Sequence, residues 1–190
     1  MTRQDILEAA AQLIHEKGFH AASMRDIADA VNMRKASLYH HVTSKQDILL
    51  EILDQALDLL IENMQAVMNA PLTPEEKIRR AIDVYIGTLT EHRDIASVLL
   101  FEHRSLSDTQ QNQHIARRDQ FEGLWRDLIK QGSDIGAFHV QDASITAKSL
   151  LGTLNWTITW YRPEGSLSAA QIANQISDLF LCGIKQGGDA

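Results

Sequence analysis

Helix-start signals recur in the amino-terminal part of this sequence and constrain its fold more than any other feature. Thr2, Ser23 and Ser44 each stand three residues before an aspartate. A hydroxyl and a carboxylate at this spacing are typical of the residues that satisfy free backbone amides at the start of a helix. The sequence therefore predicts three helix starts within its first 44 residues.

The rest of the chain also follows a helical period, without the strict alternation of a β-strand. Pro71 and Pro74 end a long fourth helix, and Thr73 with Glu76 marks the next start. Later helices are expected over about 74–92, 95–104, 108–131, 142–160 and 168–184. We therefore expect an all-α protein of about nine helices.

Composition and hydropathy place the chain among ordinary globular proteins. Hydrophobic residues make up 44% of its 190 residues and charged residues 23%. No apolar run reaches the roughly 18 residues of a membrane span, and the single cysteine, Cys182, cannot form an internal disulfide. These features lead us to expect a soluble, cytoplasmic protein without a membrane partner.

The charge is distributed unevenly. The formal net charge is −7, yet residues 1–48 contain six basic and six acidic side chains and are neutral. Four of those six cations fall between Arg25 and Lys45. A basic face for nucleic acid is therefore expected in this part, while the acidic remainder would keep DNA off other surfaces.

Residues 23–42 have the pattern of two short helices joined by a tight turn. Ile27 and Val31 would form one apolar face and Leu38 the facing one, packed on the first helix. Polar side chains that suit a major groove lie on the outward side of the second helix of the pair. These are Arg34, Lys35, Ser37, Tyr39 and His40. Ser44 and Lys45 open the fourth helix, whose amino end favours a phosphate.

The segment SMRDIADAVNMRKASLYHHVTSKQDIL, residues 23–49, resembles the DNA-binding signature of the tetracycline-repressor (TetR) family. That family usually has glycine where this chain has Asn32 and an aromatic residue where it has Val42. Asparagine is the next most tolerant residue of a left-handed turn, so the first departure is mild. The resemblance implies DNA contacts at Ser23, Lys35, Ser37, Tyr39, His40 and Lys45, and we add Arg25 and Arg34 as basic residues of the same segment.

The resemblance also implies two domains and a dimer. Residues 1–46 would form the helix-turn-helix domain, and residues 47–190 a helical domain that binds an effector and dimerises through its last two helices. The apolar stripes of those helices are the expected interface, although they could instead be internal core. They comprise Leu150, Leu154, Ile158, Ile172, Ile176, Leu179 and Phe180. A two-fold homodimer predicts a palindromic operator.

Residues 154–165 are similar to a stretch of the TetR branch that controls fatty-acid and steroid degradation, whose effectors are often acyl-coenzyme A thioesters. Trp156 and Trp160 lie one helical turn apart, so aromatic core or dimer packing is the alternative interpretation. The effector pocket is predicted among apolar residues of the middle and last helices. The predicted set is Met64, Tyr85, Phe101, Trp125 and Trp156. Arg117 and Arg118 could meet an anionic head group.

The expected function is that of a repressor released from its operator by a small hydrophobic effector, and the alternative is a DNA-binding protein without an effector. Catalytic motifs are not found. The eight histidines do not form the Glu-x-x-His or His-Glu-x-x-His spacings of metal sites, and no glycine-rich phosphate loop occurs. We therefore expect no enzyme, no metal and no cofactor.

Overall fold

The computed structural model describes residues 2–185, and within that range it contains nine α-helices and no strand. The all-α fold of about nine helices is therefore confirmed. A short 3-10 turn at His103–Ser105 follows the sixth helix. The helices are α1 (Arg3–Lys17), α2 (Met24–Ala30), α3 (Lys35–Leu38), α4 (Lys45–Asn69), α5 (Pro74–Glu91), α6 (Arg93–Phe101), α7 (Asp108–Asp134), α8 (Ala143–Trp160) and α9 (Ala169–Ile184).

Side-chain caps set the starts of several helices. The Thr2 hydroxyl accepts a hydrogen bond from the Asp5 amide, and the Asp5 carboxylate accepts one from the Thr2 amide at 2.6 Å. The same exchange begins α2 at Ser23 and α5 at Thr73. Each exchange satisfies two backbone amides that have no partner inside the helix. The hydroxyl–carboxylate spacing therefore located these starts correctly.

The third helix is shorter than the pattern predicts. It ends at Leu38 rather than near Val42, and the following residues form a turn in which the His41 amide donates to the Leu38 carbonyl at 2.9 Å. Val42 is buried, so the chain still returns to the core at this point. The difference reflects a tighter hydrogen-bond pattern after Leu38, which apolar spacing does not reveal.

One compact unit contains the chain up to Asp58 together with His92–Arg118. Within this unit α1 contacts both α2 and α6. Its apolar interior draws on α1 to α4 and α6, and it includes Ile6, Ile14, Ile27, Leu38, Ile48, Leu49, Leu53 and Val98. The unit does not end at residue 46, because α4 continues through it. The functional division at that residue stays a prediction.

The second compact unit contains Leu59–Glu91 and the described residues from Asp119 onwards. In it α5 packs against α9 and α8. Arg79 on α5 also binds Asp178 on α9 at 2.6 Å, but exposed ion pairs of this kind stabilise a protein only slightly. Burial of apolar side chains holds this unit together, chiefly Ile78, Ile82, Ile86, Trp125, Leu128, Ile129, Leu150 and Leu154.

No helix within residues 2–185 is both long enough and apolar enough to cross a membrane.

Asn32 has a positive φ of 52°, in the left-handed region that the sequence predicted for this turn. For a residue with a β-carbon and no stabilising side chain, this conformation costs about 1–2 kcal/mol. We expect Asn32→Ala to lower the free energy of unfolding by about 1 kcal/mol, and Asn32→Gly to leave it nearly unchanged. Urea denaturation of both variants measures the difference.

Asn112→Ala is the matched control, because Asn112 is exposed inside α7 and alanine favours a helix there. A loss of stability in Asn32→Gly as large as that in Asn32→Ala would contradict the proposed strain at this residue.

Candidate functional site

The helix pair α2 and α3 is connected by a turn closed by backbone hydrogen bonds. The Met33 amide donates to the Ala28 carbonyl at 2.8 Å, and the left-handed Asn32 precedes it. Ile27 and Leu38 are both fully buried, so each helix is anchored by an apolar side chain. The pair therefore has the helix-turn-helix arrangement that the sequence predicts.

The predicted reading residues lie on α3 and directly beside its two ends. Arg34, Lys35, Tyr39 and His40 are exposed, and Ser37 is half-buried. Tyr39 keeps 46% of its surface exposed, and the Lys35 Nζ lies 6.0 Å from the centre of its ring. These cationic and hydroxyl groups can donate hydrogen bonds to base edges and phosphates. The structure brings all five to one segment, which we call the reading face.

Ser23 is used for a local structural purpose. Its hydroxyl donates to the Asp26 carboxylate at 2.6 Å and accepts from the Asp26 amide at 3.2 Å. Hydrogen bonds from Ser23 hold the pKa of Asp26 below its ordinary value. In this structure the Ser23 hydroxyl caps α2, and the phosphate contact predicted for it stays a prediction. Arg25 is exposed, with its Nε 3.8 Å from the Asp29 carboxylate.

Lys45 makes contacts within its own chain, and its predicted DNA contact stays a prediction. Its Nζ donates to the backbone carbonyls of Phe19 and Ala22, both at 2.6 Å, and lies 4.3 Å from the centre of the Phe19 ring. The ammonium group thus ties the start of α4 to the loop between α1 and α2. An ammonium has three donors, so at most one remains for the predicted phosphate contact.

Hydrogen bonds of Arg3 also support the reading face. The Arg3 guanidinium donates to the Glu51 carboxylate at 2.8 Å and also to the backbone carbonyl of His41, which follows α3. These contacts connect α1, α4 and the end of the reading segment. Sequence inspection missed this role, because residues 48 positions apart give no local signal.

Three of the five residues predicted for the effector pocket converge on one cavity. Met64 on α4, Tyr85 on α5 and Trp125 on α7 line it. Its volume is about 10 Å³, which is room for about one water molecule. The lining residues that the sequence did not single out are Leu60, Asn63, Val67, Ala81, Val84 and Phe121.

The other two predicted pocket residues lie elsewhere. Phe101 belongs to the unit that contains the reading face and is 51% exposed, and Trp156 on α8 is 64% exposed. Neither lines the cavity. The structure therefore corrects both assignments: large apolar side chains are common on helix surfaces, and residue type alone does not place them in a pocket.

Aromatic packing and one hydrogen bond hold the cavity wall. The Tyr85 ring stacks on Phe121 at 5.7 Å between centres and meets Trp125 edge to face at 5.9 Å. The Tyr85 hydroxyl donates to the Asn155 side-chain oxygen at 2.5 Å. Burial raises the pKa of Tyr85, so its phenol stays neutral at physiological pH.

The predicted dimer residues divide into two groups. Leu150, Leu154, Ile158 and Ile172 are at most 6% exposed and belong to the protomer's own core. A side chain covered by its own chain has no surface left for a partner, so these four are removed from the interface. Ile176 and Phe180 are half-buried, and Leu179 is 74% exposed.

Exposed apolar residues occupy other positions of the same two helices. Ile145 is 61% exposed, and Trp156 and Trp160 on the same face of α8 are 64% and 47% exposed. Leu179 on α9 completes a set that we call the exposed α8–α9 residues. Large apolar surface of this kind marks interaction sites. Core packing of the two tryptophans, one of the alternatives left by the sequence, is thereby excluded.

Arg117 is occupied by acidic partners. A terminal nitrogen of its guanidinium donates to Asp58, and its Nε lies 3.6 Å from Asp54. Burial raises the pKa of Asp54, although the nearby Arg117 opposes this effect. These contacts connect α7 to α4 within the first unit. Because the Arg117 guanidinium is already paired with carboxylates, it is not available to an anionic ligand there. Among the described residues, no group of three or more His, Cys, Asp or Glu side chains could hold a metal ion.

Comparison with known proteins agrees with this geometry at both ends of the chain. Residues 6–52 match the tetR family of bacterial regulatory proteins, and residues 71–184 match the tetracyclin repressor-like C-terminal domain. The HTH-type transcriptional repressor KstR2 of Mycolicibacterium smegmatis is 31% identical over 188 residues, which cover 97% of this chain and 91% of KstR2.

Two solved structures resemble the whole chain. The TetR family regulator PfmR of Thermus thermophilus is 35% identical, with a TM-score of 0.87 over 95% of this chain and 99% of its own. AibR, solved in complex with isovaleryl coenzyme A and operator DNA, is 30% identical, with a TM-score of 0.87 over 93% of this chain and 96% of its own. The helix-turn-helix, the two matched domains and these relatives together show that the chain belongs to the TetR family of DNA-binding transcriptional regulators.

Proposed function

We propose that this chain is a repressor that binds a palindromic operator as a homodimer and leaves it when a small, largely apolar effector binds. The observation that carries the proposal is the reading face, where cationic and hydroxyl side chains stay exposed on a helix anchored by the buried Leu38. KstR2 is named as a repressor, which supports repression as the outcome of DNA binding. Such a regulator would act in the cytoplasm, where its operator is accessible.

The reading face has the chemistry for two kinds of DNA contact. Arg34 and Lys35 can bond guanine edges or phosphates, and the Tyr39 hydroxyl can donate to a phosphate. Ser23 and Lys45 support this face through hydrogen bonds within the chain, because their polar groups hold the start of α2 and the loop before it. We therefore assign recognition of the operator's base sequence to α3 and the residues beside it.

Dimerisation is assigned to the exposed α8–α9 residues. A two-fold interface would cover the same set on both protomers and would take these large apolar side chains out of water. Gly152 on α8 has open space beside it, which would let a partner helix approach closely. A second copy of this chain is the expected occupant, since TetR regulators typically bind operators as dimers.

Effector binding is assigned to the cavity around Met64, Tyr85 and Trp125. AibR was solved with isovaleryl coenzyme A as well as with operator DNA, which supports an acyl-coenzyme A or another ligand with an apolar acyl part. Helices α4 and α7 line this cavity, and both also supply residues to the unit that carries the reading face. A ligand that displaces them can therefore change the fit to DNA.

The alternative of DNA binding without an effector is favoured by one observation, the small volume of the cavity. Electrophoretic mobility shift with the chain's own promoter separates the two functions. Release of the operator by a panel of acyl-coenzyme A compounds supports the proposal, and binding that no member of the panel weakens supports the alternative.

Lys35→Ala tests the reading face. We expect weaker operator binding and, because the dimer loses one phosphate contact from each protomer, a decrease of about two in the slope of log affinity against log salt concentration. Fluorescence anisotropy titrations at several salt concentrations measure both quantities. Lys130→Ala is the matched control, since Lys130 is an exposed lysine on α7 paired only with Asp134 among the contacts described. Equal effects of the two substitutions would remove Lys35 from the reading face.

Leu179→Asp tests the dimer surface. A charge at the centre of an apolar interface would lose its water without gaining a partner, so the dimer should dissociate to a monomer that keeps its helical content. Analytical ultracentrifugation and circular dichroism measure these two properties.

Ile135→Asp provides the control, because Ile135 is 71% exposed, nearly as much as Leu179, but lies outside α8 and α9. A Leu179→Asp protein that sediments as the wild type does would rule out this surface as the dimer interface.

A further inference from the structure

Trp125, which lines the cavity, has a buried hydrogen-bond donor without a partner among the described residues. Trp125 is 1% exposed, and its indole Nε1 makes no hydrogen bond within the described residues. A buried N–H without an acceptor is costly, and such groups are rare in folded proteins. Because the indole nitrogen can only donate, the missing group must be an acceptor.

The neighbouring aromatic side chains do not supply that acceptor through their polar atoms. The Tyr85 hydroxyl is committed to Asn155, 2.5 Å away, and Phe121 has no polar side-chain atom. Their packing around Trp125, at 5.9 and 6.4 Å between ring centres, leaves the indole little freedom to turn towards another partner. The donor is therefore held in place before any ligand binds.

The cavity lining also restricts the charge of the acceptor. None of its lining residues is charged: beside hydrocarbon side chains it contains the thioether of Met64 and the neutral polar groups of Asn63, Tyr85 and Trp125. A carboxylate or phosphate placed here would lose its water without meeting a cation, which is strongly unfavourable. A neutral carbonyl oxygen can accept one hydrogen bond at much smaller cost. The chemistry of the wall thus favours a ketone or thioester over a free acid.

The polar remainder of such a ligand has space next to this cavity. Asn63 and Val84 line both the cavity and a cleft of about 440 Å³ between α4, α5 and the start of α9. Arg80, Asp83 and Thr88 contribute polar groups to that cleft. A ligand with an apolar, carbonyl-bearing end and a polar tail could occupy the two spaces together.

We propose that Trp125 Nε1 donates a hydrogen bond to a neutral carbonyl oxygen of the effector, so that the cavity selects thioesters and ketones over the corresponding carboxylates. This inference rests on the proposed function, because it takes the cavity as the effector site. The cavity has room for only about one water molecule, so binding requires side chains of the wall to move aside. Met64 is the most adaptable of them, since an unbranched thioether changes rotamer readily.

Nuclear magnetic resonance of the full-length protein labelled with ¹⁵N-tryptophan tests the inference directly. The chain has three tryptophans, and Trp125→Phe assigns the Trp125 indole signal. The probes are N-acetylcysteamine thioesters with butanoyl, 3-methylbutanoyl and octanoyl chains, the methyl ketones of the same chains, and the matching carboxylates at neutral pH. We expect thioesters and ketones to move the Trp125 indole proton downfield, and carboxylates to leave it in place.

Affinities measured by calorimetry provide the second readout. Loss of one neutral hydrogen bond should weaken thioester binding to Trp125→Phe about tenfold. Ile135→Ala, which changes an exposed apolar side chain outside the cavity and the proposed dimer surface, should bind as the wild type does. Equal affinity for thioester and carboxylate, an unshifted Trp125 signal on saturation, or no binding of any neutral probe would overturn the inference.

The outcomes also separate this inference from the proposed function. Operator binding that an acyl-coenzyme A weakens without a response at Trp125 leaves the repressor proposal intact and removes the role of Trp125. Absence of specific operator binding by the wild type removes the repressor proposal, whatever the probes do.

Discussion

The packing of α2 onto α1, and of α3 onto α2, is the interaction on which the DNA-reading end of this protein depends. The two helices contain only seven and four residues, and helices this short are not stable alone in water. Their positions come from buried side chains such as Ile27 and Leu38, from the cap at Ser23, and from the tie made by Lys45. The polar groups of Ser23 and Lys45 therefore serve the fold, while the exposed residues on and beside α3 are free for DNA.

Two helices, α4 and α7, each contribute residues to the first unit and to the cavity of the second. Helix α4 contains both Lys45, which holds the loop before α2, and Met64, which lines the cavity. Helix α7 contains both Arg117, bound to acidic residues of α4, and Trp125. In the proposed function, an effector stabilises the arrangement of these helices to which it binds more tightly, and DNA stabilises another. Thermodynamic linkage then requires that operator binding lower the affinity for the effector by the same factor by which the effector lowers the affinity for the operator.

Local chemistry made much of the fold predictable. Hydroxyl–carboxylate spacing marked the helix starts, and Asn32 marked the left-handed turn, because these signals act over three or four residues. The exposure of the polar residues Arg34 to His40 followed from their position after that turn, and their contacts with DNA stay a prediction. Long-range partners were not predictable: nothing near Lys45 in the sequence indicates that its ammonium binds two carbonyls more than 20 positions away.

The burial of apolar residues was harder to predict, because helical periodicity identifies an apolar face but does not show what packs against it. On α8, Leu154 belongs to the protomer's core while Trp156 is exposed, although both are large and apolar. Most of the apolar residues predicted for the interface face the protomer's own core. The exposed apolar residues of the same helices are identified only by the structure. Phe101 was misplaced for the same reason, whereas Phe121, which lines the cavity, was not recognised.

A footprint of the full-length protein on the DNA upstream of its own coding sequence tests the central claim most directly. Hydroxyl-radical cleavage should show two symmetric protected half-sites whose centres lie about 10 base pairs, or a whole multiple of that distance, apart. This spacing follows from two copies of α3 that enter successive major grooves on one side of the duplex. Uniform protection along the DNA, or a single protected site without two-fold symmetry, would contradict the account of a dimeric, sequence-reading repressor.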